Sequence, residues 1–360
     1  MTTAVSDDNH HRTYRWDLDV LRIMAILGVL AIHIFGLILG EERLRGTPTW
    51  SFAVIVDIGS TWCVPVFVMI SGALLLSPRA HVGGPGVFLR KRALRLLPAL
   101  VVWHLVYLLL VRRAIQSDRP TVEAVLVQLI DGRIYTALYF LWLILGLYLV
   151  APVLAAFLAE GGQRRAAVTA VVASAWTAVI LALPGITTEL GSPRPRGDNI
   201  VIMFLPYIGL FVAGYAWREP QRHGWRWLWT GAVAVVLLAE SIWQYDVRPD
   251  HTWLQALSPV AYFSPLITIA SVCLFVCVID LCSRIDLPDR AQRVLRTLGA
   301  ATFGVFLCHL VFVAVFRRWY PDFYADPRPI AKIQMYLAVV VLAFSVSIIA
   351  RKVPVLRRVF

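Results

Sequence analysis

Residues 15–35 read RWDLDVLRIMAILGVLAIHIF. From Val20 onward the stretch is apolar for about the 20 residues a helix needs to cross a bilayer core. It nonetheless carries Asp19, Arg22 and His33. Helix geometry puts two of these on one side: across eleven residues at about 100° each, Arg22 and His33 return to within about 20° of the same face. Asp19 stands three residues before Arg22, a spacing at which the two side chains pair. A rise of about 1.5 Å per residue sets His33 roughly 16 Å deeper than Arg22. One stripe therefore runs from an ionic cluster at the membrane mouth to an imidazole well inside the bilayer. A charge in that setting costs several kcal/mol unless it faces protein or water, so the stripe is a candidate functional site. Histidine is also the side chain suited to taking a hydroxyl proton near neutral pH. Two plainer readings of the same residues are Arg22 snorkelling to headgroups and His33 hydrogen bonding a neighbouring helix.

The rest of the chain has the same character. Its 360 residues are 59% hydrophobic and 16% charged, with a mean hydropathy of +0.71. Soluble domains run nearer a quarter charged. The apolar residues gather into ten blocks, roughly 18–39, 51–77, 94–111, 136–158, 166–183, 199–217, 225–243, 258–282, 297–316 and 331–350. They predict an all-α polytopic membrane protein of about ten transmembrane helices, a single domain over residues 1–360 with the lipid bilayer as its solvent. Residues 1–15 form a polar tail with no cleavable signal, and 351–360 a basic one.

The formal net charge of +12 raises the question of nucleic acid, but the basic residues sit in short loops between apolar blocks. With the N-terminus inside, 20 lysines and arginines fall on the cytoplasmic side and 13 on the other. That bias predicts both ends inside, and it accounts for the charge without a nucleic-acid partner. The five cysteines lie in or at the ends of apolar blocks without CxxC spacing, so they read as small core residues. No HExxH and no histidine–carboxylate cluster suggests a metal. No nucleotide-binding GxxxxGK[ST] occurs either.

Three further stretches carry candidate chemistry. In the second block, DIGSTWCVPVFVMISGALLL (57–76), Asp57 falls at a depth comparable with His33. A carboxylate there either orients an imidazole, as in hydrolase triads, or caps the outer helix end or faces water. Pro65 and Ser71-Gly72 are expected to kink or thin the helix and free backbone groups, as is tolerated where a cavity is lined. The following loop, SPRAHVGGPGVFLRKRALRLLP (77–98), places Arg92 and Arg95 on one helical face, where guanidinium groups suit phosphate. Gly83–Gly86 is expected to be a mobile flap. Positive-inside anchoring is the competing explanation of these arginines. His104 and His309 lie in the third and ninth blocks, where each alone reads as a packed polar residue. Glu240, Tyr262 and Ser264 are candidates for an outward acceptor mouth.

Four of these stretches together resemble acyltransferase family 3, membrane proteins that O-acylate envelope polysaccharides, lipid-linked sugars and small molecules. LDVLRIMAILGVLAIH (18–33) is similar to the family's opening arginine–ten–histidine signature, and VPVFVMISGALLL (64–76) to its Ser-Gly block. FLRKRALRLLP (88–98) resembles its basic RxxR block, and FGVFLCHLVF (303–312) its late histidine helix. The resemblance implies an acyl-CoA donor, acetyl-CoA by preference, on the cytoplasmic side of a bacterial plasma membrane. It implies His33 as the essential histidine with Arg22 as its partner. Arg92, Arg95 and Ser71 would then bind the donor, and a hydroxyl-bearing glycan, lipid-linked sugar or small molecule would accept the acyl group. Secondary transport or an export subunit for an envelope precursor is the rival class, since transporters also need charges inside the membrane.

Overall fold

Trp16–Leu39 (α1) is one helix, so Asp19, Arg22 and His33 lie on a single rod. The computed structural model describes residues 14–194, 197, 199–247 and 252–360, and every regular element among them is helical. After α1 come α2 (Pro48–Ile58), α3 (Cys63–Leu75), α4 (Gly84–Leu105), α5 (Val122–Ile130), α6 (Tyr139–Ala159) and α7 (Gly162–Glu189). The second half comprises α8 (Ile208–Ala216), α9 (Arg226–Val247), α10 (Thr252–Leu257), α11 (Pro265–Cys282), α12 (Asp289–Trp319), α13 (Pro321–Ala325) and α14 (Pro329–Ala350). Among the described residues nine helical stretches are long and apolar enough to cross a membrane. Two are composite: α2 with α3, and α4 with the π-helical Val106–Ile115.

The sixth expected block, 199–217, is the exception. Its helix, including a 3₁₀ turn, spans only Leu205–Ala216. At about 1.5 Å per residue it reaches roughly 18 Å, short of a core about 30 Å thick. Before it, residues 200–204 form turns, with the Asn199 side chain accepting from the Val201 amide at 2.9 Å. The short helix still turns the chain back. Arg15, at the start of α1, donates to the carbonyl of Arg218, just past α8, at 2.9 Å. Trp103 donates to the carbonyl of Val359, beyond α14, at 2.8 Å. Arg296, near the start of α12, lies over the Tyr14 ring, and Asp17 is within electrostatic reach of Cys282 at the end of α11. Arg351, past α14, is within electrostatic reach of Arg95, so the described chain enters and leaves on one side.

α8 manages with so few residues because it is buried in the bundle. Gly72 on α3 lies against the backbone carbonyl of Phe211, and Gly214 on α8 against that of Met69. A Cβ at either position would meet main chain, so glycine is what permits this approach, the usual role of small residues between membrane helices.

Two local expectations are corrected. The second span breaks at residues 59–62, before Pro65, and α3 runs unbroken through Ser71-Gly72. Pro65 has no amide to donate, so it sits in the first turn of α3, where none is needed. The Ser71 hydroxyl instead donates to the carbonyl of Phe67 at 3.0 Å. Nor is the glycine stretch a flap: Gly84–Gly86 is the first turn of α4, with Gly84 at φ +78° and Pro85 at the helix start. Arg92 and Arg95 consequently lie two to three turns inside a helix.

Candidate active site

Asp19 is the anchor of the ionic cluster. Its carboxylate is buried at 4% exposure and accepts from both the Arg22 guanidinium and the Tyr14 hydroxyl. It also packs against Gly299 of α12, where a side chain would collide with it. Burial first, then Asp19, pushes the Tyr14 phenol up to about 12, so it stays a hydrogen-bond donor. Arg296 lies over the same ring at 4.1 Å. Arg22 is thereby held in one place, with nearly a third of its side chain still open.

That open part faces a cleft between α1, α3, α4, α6 and α12. Arg22, Arg92 and Arg95 line it together with Ser71, Tyr148 and Thr302. Arg92 and Arg95 form no ion pair among the described residues, and the buried Nε of Arg92 has no partner. The Arg92 guanidinium lies 5.3 Å from the Phe88 ring centre. All three arginines are within electrostatic reach of Tyr148. Among the described residues Asp19 is the one carboxylate ion-paired to these three cations, which makes the cleft a seat for a polyanion.

His33 lines a second, smaller cavity with Val29, Ile32, Val64, Thr136 and Tyr262. Its neighbour is the buried His309 of α12, ring centre to ring centre 5.2 Å. His309 Nδ1 lies 2.7 Å from the carbonyl of Phe306 and 3.2 Å from that of Val305. Both are acceptors, so Nδ1 carries the proton in the neutral ring and Nε2 keeps a lone pair. That Nε2 is buried and has no hydrogen-bond partner among the described residues. Thr136, Tyr139 and Tyr262 also border a third opening, lined further by Asp131 and Arg133. Burial, with Tyr139, Cys63 and Asp57 nearby, holds the Tyr262 phenol well above its ordinary range, so its hydroxyl remains protonated.

The three openings lie in a row. Along α1 the lining runs from Arg22 to Val29 and His33, along α3 from Leu74 to Val64, along α6 from Tyr148 to Tyr139, and along α12 from Thr302 to Phe306. The stripe counted from the sequence thus borders two adjoining cavities, with Val29 between its ends. Ala25, also inside that interval, is fully buried, and a Cβ at Gly28 would stand 3.1 Å from that of Cys63.

Asp57 lies close to the His33 cavity without bonding to it, and the other remaining candidates line none of the three openings. Asp57 rests beside Gly36, where a Cβ would stand 2.7 Å from its Oδ2. No hydrogen bond or ion pair joins Asp57 to His33 among the described residues. Glu240 on α9 accepts from the Gln244 amide at 3.0 Å and lines none of the three openings. His104 is satisfied at both nitrogens, by the Leu100 carbonyl at 2.7 Å and the Trp142 indole at 3.1 Å, which makes it a packing residue. Ser264 is buried just before α11. Among the described residues no three histidine, cysteine or carboxylate side chains converge as a metal site.

A family model described as an acyltransferase domain matches residues 15–352. The chain belongs to acyltransferase family 3. The match takes in α1 through α14, so every opening described above lies within the acyltransferase domain. The protein is accordingly a membrane-embedded acyltransferase. No curated protein and no solved structure gives a match. Sequence reasoning passed over Tyr148, Thr302, Thr136 and Tyr139, and the phenylalanines that border both inner cavities. Hydroxyl and aromatic residues are ordinary in membrane helices, and only the lining identifies them.

Proposed function

We propose that the protein transfers a short acyl group, acetyl by preference, from acyl-CoA to a hydroxyl of a glycan, lipid-linked sugar or small molecule. The observation that carries this reading is the single row of openings, with three arginines at one end and His33 near its middle. CoA is a polyanion with a long thioester-tipped arm. Arg92, Arg95 and Arg22 grip its phosphates on the side where positive-inside bias places the cytoplasm, and Ser71, Tyr148 and Thr302 supply hydroxyls along the arm. The acceptor enters from the opposite opening, past Tyr262 and Tyr139.

His33 takes the proton from the acceptor hydroxyl as its oxygen attacks the thioester carbonyl. A C–O bond forms and the C–S bond breaks. The proton then passes from the imidazolium to the departing thiolate, leaving an ester and free CoA. His309 presents its Nε2 lone pair beside His33 and stabilises the imidazolium while it exists. Its tautomer is fixed by the Phe306 carbonyl, which keeps the Nε2 lone pair turned to the hydrogen-bonding side of the ring, so it acts as a positioning residue for His33.

Purified protein in lipid nanodiscs, given acetyl-CoA labelled in the acetyl group, tests the reading. Label should move to added acceptor with one free thiol released per ester formed. CoA binding without thiol release in any acceptor mixture, alongside sugar flux in vesicles, would favour the transporter class instead.

A further inference from the structure

Phe67 of α3, Phe140 of α6 and Phe306 of α12 line both the arginine-bordered cleft and the His33 cavity. They touch in sequence: Phe67 and Phe140 have ring centres 6.1 Å apart, Phe140 and Phe306 5.3 Å. Phe306 continues the chain to His309 at 6.1 Å. The same three rings border both spaces, so the partition is a single layer of phenyl groups, contributed by three different helices. An edge-to-face aromatic cluster of this kind coheres without hydrogen bonds and admits neither water nor ions easily. Beyond it, the cavity at His33 holds about 130 Å³. The arginine-bordered cleft holds about 190 Å³, so the space at His33 is the smaller of the two.

We propose that Phe67, Phe140 and Phe306 form a gate that sets acyl-chain length: a ring turns aside for a short acyl group, and longer chains are refused. The proposal rests on the reading that the arginine-lined cleft holds acyl-CoA. Two physical consequences follow. With the rings closed, the donor cleft is sealed from the acceptor opening, which protects the thioester from water entering on the far side. With a ring truncated, the packed partition is lost and the His33 cavity gains length, so chains several methylenes longer fit. A hydrophobic pocket discriminates about 10–200-fold per methylene misfit, so truncation shifts preference by at least the lower figure.

The test uses the full-length protein in vesicles with Phe140→Ala, and Phe140→Leu as a gentler second variant. The five native cysteines are first replaced in a background that retains activity, and Thr136→Cys is added as a reporter. Thr136 borders both the His33 cavity and the acceptor opening. With all three rings intact, a membrane-impermeant thiol reagent should label the reporter from one side only. Phe140→Ala should admit the reagent from both sides. The ratio of octanoyl to acetyl transfer should rise at least tenfold in Phe140→Ala and by less in Phe140→Leu. Unchanged one-sided labelling in well-folded variants overturns the gate. Two-sided labelling with an unchanged chain-length ratio shows a seal that does not gauge the acyl group, and overturns the proposal equally. Should the native protein use no acyl-CoA at all, the donor reading fails and takes the gauge with it, while the labelling pattern separately reports whether the partition exists.

Discussion

His33 and His309 stand side by side across the α1–α12 interface, their ring centres 5.2 Å apart and their planes inclined by 38°. Of the two, only His309 is hydrogen-bonded to a backbone carbonyl among the described residues. His309 donates from Nδ1 to the main chain of its own helix, while His33 borders a cavity. One imidazole is therefore fixed and the other is placed to meet a substrate. Among the described residues no carboxylate is hydrogen-bonded or ion-paired to either ring, and Asp57 lies beside Gly36, one helical turn along α1 from His33. If the arrangement works as proposed, His309→Gln should lower kcat by roughly 10²-fold, the lower end of what general-base assistance contributes, and leave KM for the donor nearly unchanged. Steady-state rates over a range of acetyl-CoA concentrations make the comparison. A matching rise in KM would instead place His309 in donor binding.

Arg92→Ala combined with Arg95→Ala should weaken CoA binding. Charge-assisted bonds to phosphate are worth about 1.5–3 kcal/mol each before salt screening. Calorimetric titration of CoA at low and high ionic strength should show a large loss at low salt and a flatter salt dependence than the native protein. Equal affinities would leave these arginines as topology anchors alone.

The Arg226–Asp280 pair is expected to serve the fold. Asp280 is fully buried and receives two guanidinium bonds of 2.6 Å plus the Gln221 amide at 2.7 Å, tying the start of α9 to the end of α11. Removing the carboxylate strands both donors. Asp280→Ala should cost about 3 kcal/mol, the low end for a broken buried pair because Arg226 is partly exposed. Thermal unfolding in detergent measures it. Activity per folded molecule should persist, which separates this pair from Asp19–Arg22.

Cysteine probes report where the donor lies. Ser71→Cys borders the arginine cleft, so CoA should shield it from a thiol reagent, whereas Ala25→Cys should be unreactive with or without CoA because Ala25 is fully buried. Reactivity at residue 25 that CoA suppresses would move the donor path onto a different face of α1.

The helical architecture was legible because crossing a bilayer demands long apolar blocks, and nine of the ten expected blocks became full-length helices. The tenth is short, with turns over residues 200–204 and with α8 packed in protein, neither of which hydropathy records. The stripe was legible for a geometric reason: eleven residues return to one helical face, and Arg22 and His33 do border adjoining cavities. What an isolated helix does not reveal is which of its faces meets another. Ala25 lies near the stripe by angle yet is buried, and the phenylalanine partition exists only where α3, α6 and α12 converge. Glycine misled in the other direction, because Gly84–Gly86 opens a helix rather than a loop.

The central claim is that His33 is the base that activates the acceptor, and His33→Ala tests it most directly. Replacing a neutral imidazole removes no net charge, and the variant should insert, purify as a monodisperse species and bind CoA as the native protein does. Transfer of labelled acetyl to acceptor by the purified variant in nanodiscs should fall by roughly 10²–10⁴-fold, the span that a general base supplies. A folded His33→Ala protein that acylates at close to the native rate would contradict the account.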